Sequence, residues 1–319
     1  MVVATTALVE ALQGIVGAEH ARLPRSDDMR FVVDGLKPSV EVTPGSYEEV
    51  AAVMRYANEG GLAVIPQGHG AVTWVGNVPR RYDIALSVAR LNAIVEYEPA
   101  DLTISCQAGA TITELNVPLS GNRQMIPFAA NSASCVGRLL ALPMRESNLT
   151  WGSVRDFTIG LRVVTADGRI VRTGGKVVKN VAGYDLTKLF LGSMGTLGVI
   201  VEASFKLAPA PQEEATLNFE FPSVADGCGF VLALPEPGFS LSHVMMTRTM
   251  ALSERGASPR GLIRFSIRLS GTSAAVARSS KEIGQLARSS GGSKDVAKIP
   301  DHQDPLPAWT RAADPLTCD

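Results

Sequence analysis

An α+β chain is what the sequence predicts, α/β in its first part and an antiparallel sheet with helices on one face in the remainder. Three observations predict it. A capped helix lies between two apolar strands at 40–66, an Asp-Gly turn joins two β-branched runs at 157–175, and alternating strands with one amphipathic helix follow the break at Pro209 and Pro211. Length agrees, because 319 residues exceed one ordinary core and two domains are expected.

Composition narrows the function classes. Apolar residues make up 45% and charged residues 19% of the chain, the balance of a soluble globular protein. Thirty basic against 31 acidic side chains leave a net charge of −1, which argues against binding nucleic acid by phosphate neutralisation, and no polybasic run marks a membrane patch. Cys106, Cys135, Cys228 and Cys318 are scattered without a C-x-x-C pair, so neither a zinc site nor a disulfide framework is supported and a reducing compartment is the simpler reading. The histidines, His20, His69, His243 and His302, show no metal-binding spacing.

The first element is the stretch around Leu8, Val9, Leu12 and Val16, which has helical spacing, while Glu10 and the missing basic flank exclude a signal peptide. No window of eighteen uncharged apolar residues exists to span a membrane. Next comes "VEVTPGSYEEVAAVMRYANEGGLAVIP". A strand ends at Pro44, Ser46 caps a helix and Glu49 completes a capping box. Val50, Val53, Met54 and Ala57 form the apolar stripe, and Gly60-Gly61 stop the helix before the strand Leu62–Pro66. "DIALSV", "AIVEYE" and "LTISCQAG" read as strands, and "TITELNVPLS" opens with a second capping box from Thr111 to Glu114. "FTIGLRVVTADGRIVRTGG" reads as a hairpin turning at Asp167-Gly168, and "LGVIVEASFKLAP" as a long strand. Arg155-Asp156 orders the turn that precedes the hairpin.

Beyond the proline break, "TLNFEF", "HVMMTR" and "GLIRFSIRLSG" alternate as strands. A helix follows on Val276, Ile283 and Leu286-Ala287, stopped by Gly291. A ferredoxin-like unit calls for one more strand, and "PDHQDPLPAWTRAADPLTCD" supplies none, as expected of a truncated domain.

Two glycine-rich stretches carry the chemistry. In "LAVIPQGHGAVTWVGN" an apolar strand runs directly into Gly68-His69-Gly70. Bare backbone there either makes a tight turn or aims successive N–H groups at an anion. A Walker loop is absent, and a Rossmann fingerprint fails because Thr73 stands at the third glycine and Pro79 follows. The second stretch, 152–209, holds Gly174, Gly175, Gly183, Gly192, Gly195 and Gly198 around one short helix that Asp185 caps. Gly195 and Gly198 let backbone pass close to a ligand at the entry to the last strand.

With these residues in view, the sequence resembles the PCMH-type (vanillyl-alcohol-oxidase-like) FAD-binding family. "GGKVVKNVAGYDLTKLFLGSMGTLGVIVEASFKL" is most similar to the small FAD-binding subunit of bacterial glycolate oxidase. The resemblance implies an FAD-binding domain of two α/β subdomains over 1–210 and a partial cap domain over 211–319. It makes Pro66, Gln67, Gly68, His69, Gly70, Ala71 and Gly76 the pyrophosphate loop, brings Gly137 close to the cofactor, and runs Gly195, Gly198, Val199 and Ile200 along its adenosine half.

The chain departs from the family pattern where His69 takes the middle glycine of the loop, Ala71 the usual Thr or Ser, and Arg138 the second glycine of the central motif. Pro143-Met144-Arg145 stands near that motif's Asn-x-Ser-Gly. In relatives with a covalent flavin the histidine aligns nearer Ala71, so non-covalent FAD is implied.

The implied activity is 2-hydroxy-acid oxidation, with electrons passing through flavin to a larger FAD-binding catalytic subunit and an iron–sulfur subunit. The implied location is the cytoplasm, with any membrane association through that complex. No catalytic residue is assigned. His243, Arg248, Arg264 and Arg268 could serve a carboxylate substrate or simply form a solvated sheet face, and Lys176 and Lys179 could face a phosphate, a partner or solvent. Two alternatives stay open: a scaffold subunit without flavin, and a stand-alone FAD-dependent D-lactate-type dehydrogenase.

Overall fold

The computed structural model describes residues 5–25, 27–70, 76–127, 134–142, 147–175, 185–234, 239–249 and 262–295. The chain divides into two compact units, Met1–Glu146 with Ser153–Pro209, and Ser147–Gly152 with Ala210–Asp319.

The first unit opens with helix α1 (Thr5–Val16), which buries Leu8, Leu12 and Val16 at four-residue spacing. β1 (Ala21–Arg22), β2 (Val40–Val42), helix α2 (Tyr47–Glu59), β3 (Val64–Gln67) and β4 (Ile84–Ser87) follow. The sheet order is β1-β2-β4-β3, with β4 parallel to both β2 and β3. A strand held between parallel neighbours meets no water, and every residue of β4 is buried.

Helix α2 starts as the sequence predicts, Ser46 Oγ accepting from Glu49 N at 3.1 Å. The predicted capping box differs in its return bond, because Glu49 Oε2 accepts from Gly45 N at 2.7 Å. Val50, Val53, Met54 and Ala57 are buried.

A second sheet takes β5 (Ile94–Glu98) and β6 (Thr103–Gln107), then helix α3 (Ile112–Gly121), β7 (Gln124–Met125), helix α4 (Val136–Ala141), β8 (Ser147–Asn148), β9 (Gly152–Ser153), helix α5 (Val154–Phe157), β10 (Thr158–Val164), β11 (Ile170–Gly174), helix α6 (Leu186–Phe190), β12 (Val199–Lys206) and β13 (Ala208–Pro209) run on from it. Its order is β11-β10-β12-β6-β5, antiparallel throughout. Thr111 and Glu114 form both halves of their capping box, and the N-cap of α6 is Asp185. Asp156 caps α5 by accepting from Ser153 N and Oγ, the turn-ordering role expected of it.

The predicted hairpin pairs Val164 with Ile170. Its turn must hold Gly168 (φ +76), where a Cβ would lie 2.5 Å from Ala51 O of α2. Helix and second sheet are also joined through Tyr47, whose hydroxyl donates to Glu202 Oε2 at 2.6 Å, with the Arg162 guanidinium 4.5 Å from the Tyr47 ring.

The second unit holds β14 (Glu213–Phe221), helix α7 (Val224–Leu232), β15 (Leu241–Thr249), β16 (Leu262–Gly271), helix α8 (Ser273–Ser289) and β17 (Ser293–Asp295). Sheet order β15-β16-β14-β17 with this connectivity is the ferredoxin-like arrangement. The closing strand, which was not expected from the sequence, is present as β17, pairing Asn218 with Asp295 and Glu220 with Ser293. Phe219, Phe221, Phe230 and Phe265 fill the core, with Phe221 stacked on Phe230 at 5.1 Å and edge-on to Phe265 at 5.7 Å. Among the described residues no helix is long and apolar enough to cross a membrane.

Candidate functional site

Parallel strands release their chains at one edge, and that edge is where ligands bind in open α/β sheets. β3 and β4 end there in Gln67-Gly68 and Ser87-Val88. The Gly-His-Gly order follows from what each position meets. A Cβ at Gly68 would run into Cys135 Sγ, and one at Gly70 would lie 2.5 Å from Arg30 O, where φ is also +77. His69 lacks the positive φ of Gly70, so a side chain is free to stand between the two glycines.

The imidazole of His69 is exposed, and its Nε2 lies 3.0 Å from Gly109 O. A carbonyl only accepts, so this nitrogen carries the proton. Ser87 Oγ donates to Gly68 O at 2.8 Å, and together the two bonds tie the loop to the turns beneath it.

The second segment arrives through α4. Gly137 N donates to Ala108 O at 2.6 Å, and its missing Cβ would come within 3.2 Å of Ala108 Cβ. The chain after α6 is bonded to this helix, Gly192 N to Leu140 O at 2.8 Å and Met194 N to Ala141 O at 2.7 Å. Gly195 (φ +72) is thereby laid on the Pro66 ring, where a Cβ would come within 3.2 Å of Pro66 Cγ.

Pro66, Gln67, Gly68, His69, Gly137, Gly195, Gly198, Val199 and Ile200 thus line one cavity. Gly70 and Gly76 are not part of its lining, and Ala71 falls outside the described residues, as do Pro143-Met144-Arg145, Lys176 and Lys179. Sequence reasoning missed Val33, Ile65, Val88 and Met194, which close the apolar wall. Nothing in their local pattern separates them from ordinary core residues.

Arg138 stands in the cavity wall, and its Nη1 donates to Ser134 Oγ at 2.9 Å. The cavity stays open beside it. Burial pushes the Cys135 thiol up, so it sits against the loop as a neutral group. On its other side His69 borders a polar cavity that includes Arg22, Arg30 and Glu41. Its charges are held together, Arg22 on Glu41 at 2.9 Å and Arg30 on Asp28 at 2.6 Å, the Arg30 guanidinium keeping the Asp28 carboxyl far below its usual range.

The cavity brings together main chain that leaves no room for a Cβ at Gly68, one guanidinium and an apolar wall. The cationic candidates of the second unit are engaged differently. Arg264 pairs with Glu220 at 2.8 Å and Arg268 with Glu214 at 3.2 Å across neighbouring strands. Among the described residues no group of three His, Cys, Asp or Glu could hold a metal.

Residues 38–174 match the protein family described as FAD binding domain. Glycolate oxidase subunit GlcD of Bacillus subtilis (strain 168) is 33% identical over 183 residues, 56% of this chain and 39% of that protein. Glycolate oxidase subunit GlcE of Escherichia coli (strain K12) is 37% identical over 139 residues, 42% of this chain and 40% of that protein. The chain thus spans well under half the length of these two relatives. In fold it is similar to p-cresol methylhydroxylase, with a TM-score of 0.74 at 20% identity, covering 96% of this chain and 68% of that one.

Proposed function

We propose, from the premise that residues 38–174 belong to the FAD-binding domain family of PCMH type and that FAD is the cofactor, that this chain is the FAD-holding subunit of a glycolate-oxidase-type complex acting on a small 2-hydroxy acid. The convergence of two bare main-chain segments, seen where Gly195 packs on Pro66, is the observation that carries this reading. Pro66, Gln67, Gly68 and His69 would border the diphosphate, with Gly70, Ala71 and Gly76 assigned to the same loop; Gly137 would lie beside it, and Gly195, Gly198, Val199 and Ile200 would flank the adenosine. FAD, when bound, supplies the two-electron chemistry of hydroxy-acid oxidation.

The residues of this chain bind and orient that group. The His69–Gly109 bond fixes the loop, and the apolar wall of Val33, Ile65 and Val88 keeps water from one side of the cavity. The FAD-binding domain is assigned to 1–210 and the cap to 211–319. Substrate oxidation falls largely to a larger FAD-binding catalytic subunit, and electrons leave through an iron–sulfur subunit. The scattered cysteines of this chain support placing iron–sulfur clusters elsewhere. The proposed setting is the cytoplasm, with membrane association through the complex.

The test is the visible spectrum of the purified chain after incubation with FAD and removal of excess, followed by glycolate-dependent dye reduction with and without co-expressed partner subunits. Absorbance at about 450 nm for roughly one flavin per chain, with turnover only in the complex, is expected. A colourless chain after reconstitution would overturn the flavin reading, and turnover by the isolated chain would overturn the subunit reading.

A further inference from the structure

The polar cavity on the other side of His69 has no part in the flavin reading. It encloses about 320 Å³ where the parallel strands β2 and β4 end, with Thr43 and Ser87 in its lining, far more space than one structural water needs. Glu41 is 3% exposed, yet only one of its oxygens is engaged. Arg22 Nε and Nη2 both reach Oε2 at 2.9 Å, and Oε1 has no hydrogen-bond partner among the described residues. A carboxylate oxygen held that deep without a donor is costly, so the cavity calls for an O–H or N–H group against it.

Charge decides what kind of group. Arg30 holds Asp28 through Nε and Nη2, and Arg22 lies 3.6 Å from the same carboxylate, so two guanidiniums balance two carboxylates. Glu19, 85% exposed at the rim, is solvated. An ion of either sign therefore meets no net opposite charge. The Nη1 end of each guanidinium makes no bond among the described residues and stays a donor in the same cavity as the open acceptor of Glu41. A hydroxyl both donates and accepts, so two adjacent hydroxyls satisfy a carboxylate oxygen and a guanidinium together, while Phe31 supplies an apolar side.

We propose that this cavity binds the vicinal diol of a neutral sugar, Glu41 Oε1 accepting from its hydroxyls and Arg22 and Arg30 donating to them. The site stands whether or not the loop holds FAD. Its diol belongs either to a separate sugar or to the sugar chain of a dinucleotide that passes the loop, and the experiment tells the two apart.

The full chain, free and saturated with FAD, is titrated with D-ribose, glycolate and cyclopentanol and followed by the amide NMR shifts of residues 41–43 and 87–89. D-ribose is expected to move these amides, and the anion and the simple alcohol are expected to leave them in place. Glu41→Gln, which keeps the shape and removes the charge, should weaken D-ribose by about 10- to 100-fold, and Arg30→Gln by about 10-fold. D-ribose displaced by FAD assigns the diol to the cofactor's own sugar chain, and equal D-ribose binding by the loaded chain assigns it to a separate ligand. No response to D-ribose, an equal response to glycolate or cyclopentanol, or undiminished binding by folded Glu41→Gln overturns the inference. Should Glu41→Gln fail to fold, Arg30→Gln decides, because wild-type affinity for D-ribose in that variant overturns it. A chain that takes up no FAD overturns the flavin reading and leaves the D-ribose titration to decide this site by itself.

Discussion

Replacing Gly68 with alanine tests the physical reason for the bare loop. Gly68 has no left-handed φ, so a methyl group there meets no backbone strain. Its conflict is with one atom, Cys135 Sγ, because the next nearest neighbour is Cys135 Cβ at 4.0 Å, an ordinary van der Waals contact. Overpacking of this kind costs about 1–3 kcal/mol, which lowers Tm by roughly 2–10 °C in a domain of this size. Cys135 is buried, and Cys135→Ala should by itself cost about 1 kcal/mol for the lost sulfur contacts. In the Gly68→Ala/Cys135→Ala double variant the new methyl enters the space the sulfur left, so the two penalties should offset by about 1 kcal/mol or more. Urea and thermal unfolding of the four proteins measure this coupling. Gly70→Ala supplies the contrast, since its obstacle is the Arg30 carbonyl at 2.5 Å together with a φ of +77, and Cys135→Ala should not relieve it. An equal Gly68→Ala penalty with and without the Cys135 sulfur would refute the argument.

Other measurements test separate parts of the molecule. Burial pushes the Tyr47 and Tyr82 hydroxyls up to about 12 each, so the folded state favours their neutral forms. Their contribution to stability is fully present below the unfolded value of about 10 and is lost as pH rises from there through the folded value; Tyr47→Phe should flatten the unfolding curve in that window and leave it unchanged at pH 7 apart from the lost bond to Glu202. His69→Ala removes the Gly109 bond and should cost about 0.5–1.5 kcal/mol, read as faster amide exchange at 68–70, while the non-covalent attachment implied by the loop register predicts that acid denaturation of the flavin-loaded wild type releases all flavin. Ending the chain after Gly291 removes β17, which uncovers the β14 edge and the ring of Phe221 that packs against Gly292. The shortened protein should melt earlier in its second unit and self-associate, which differential scanning calorimetry and light scattering report; unchanged melting would show that the short strand contributes nothing.

What could be read ahead of the structure follows the range of the forces involved. The Thr111–Glu114 box, the Asp185 cap and the Asp167-Gly168 turn all depend on partners within a few residues, and they form as predicted. Ser46 shows where that ends. Its side chain caps the expected amide, yet Glu49 turns to Gly45, a choice between adjacent N–H groups that the i, i+3 spacing does not make. β17 is the sharper case, because Ser-Lys-Asp has no alternation and becomes a strand only when the open edge of β14 pairs with it.

The same division holds at the candidate site. Sequence alone determined the stripes of the helices and the strands that end in glycine, because glycine density and apolar periodicity are local signals, while the family resemblance implied most of the residues that line the cavity. Tertiary structure alone decided that Gly195 rests on Pro66, that Cys135 and Arg30 are what forbid side chains at positions 68 and 70, and that Arg138 is among the residues lining the cavity. These contacts join segments far apart in the chain, and their partners are selected by packing of the whole core, which no local spacing encodes.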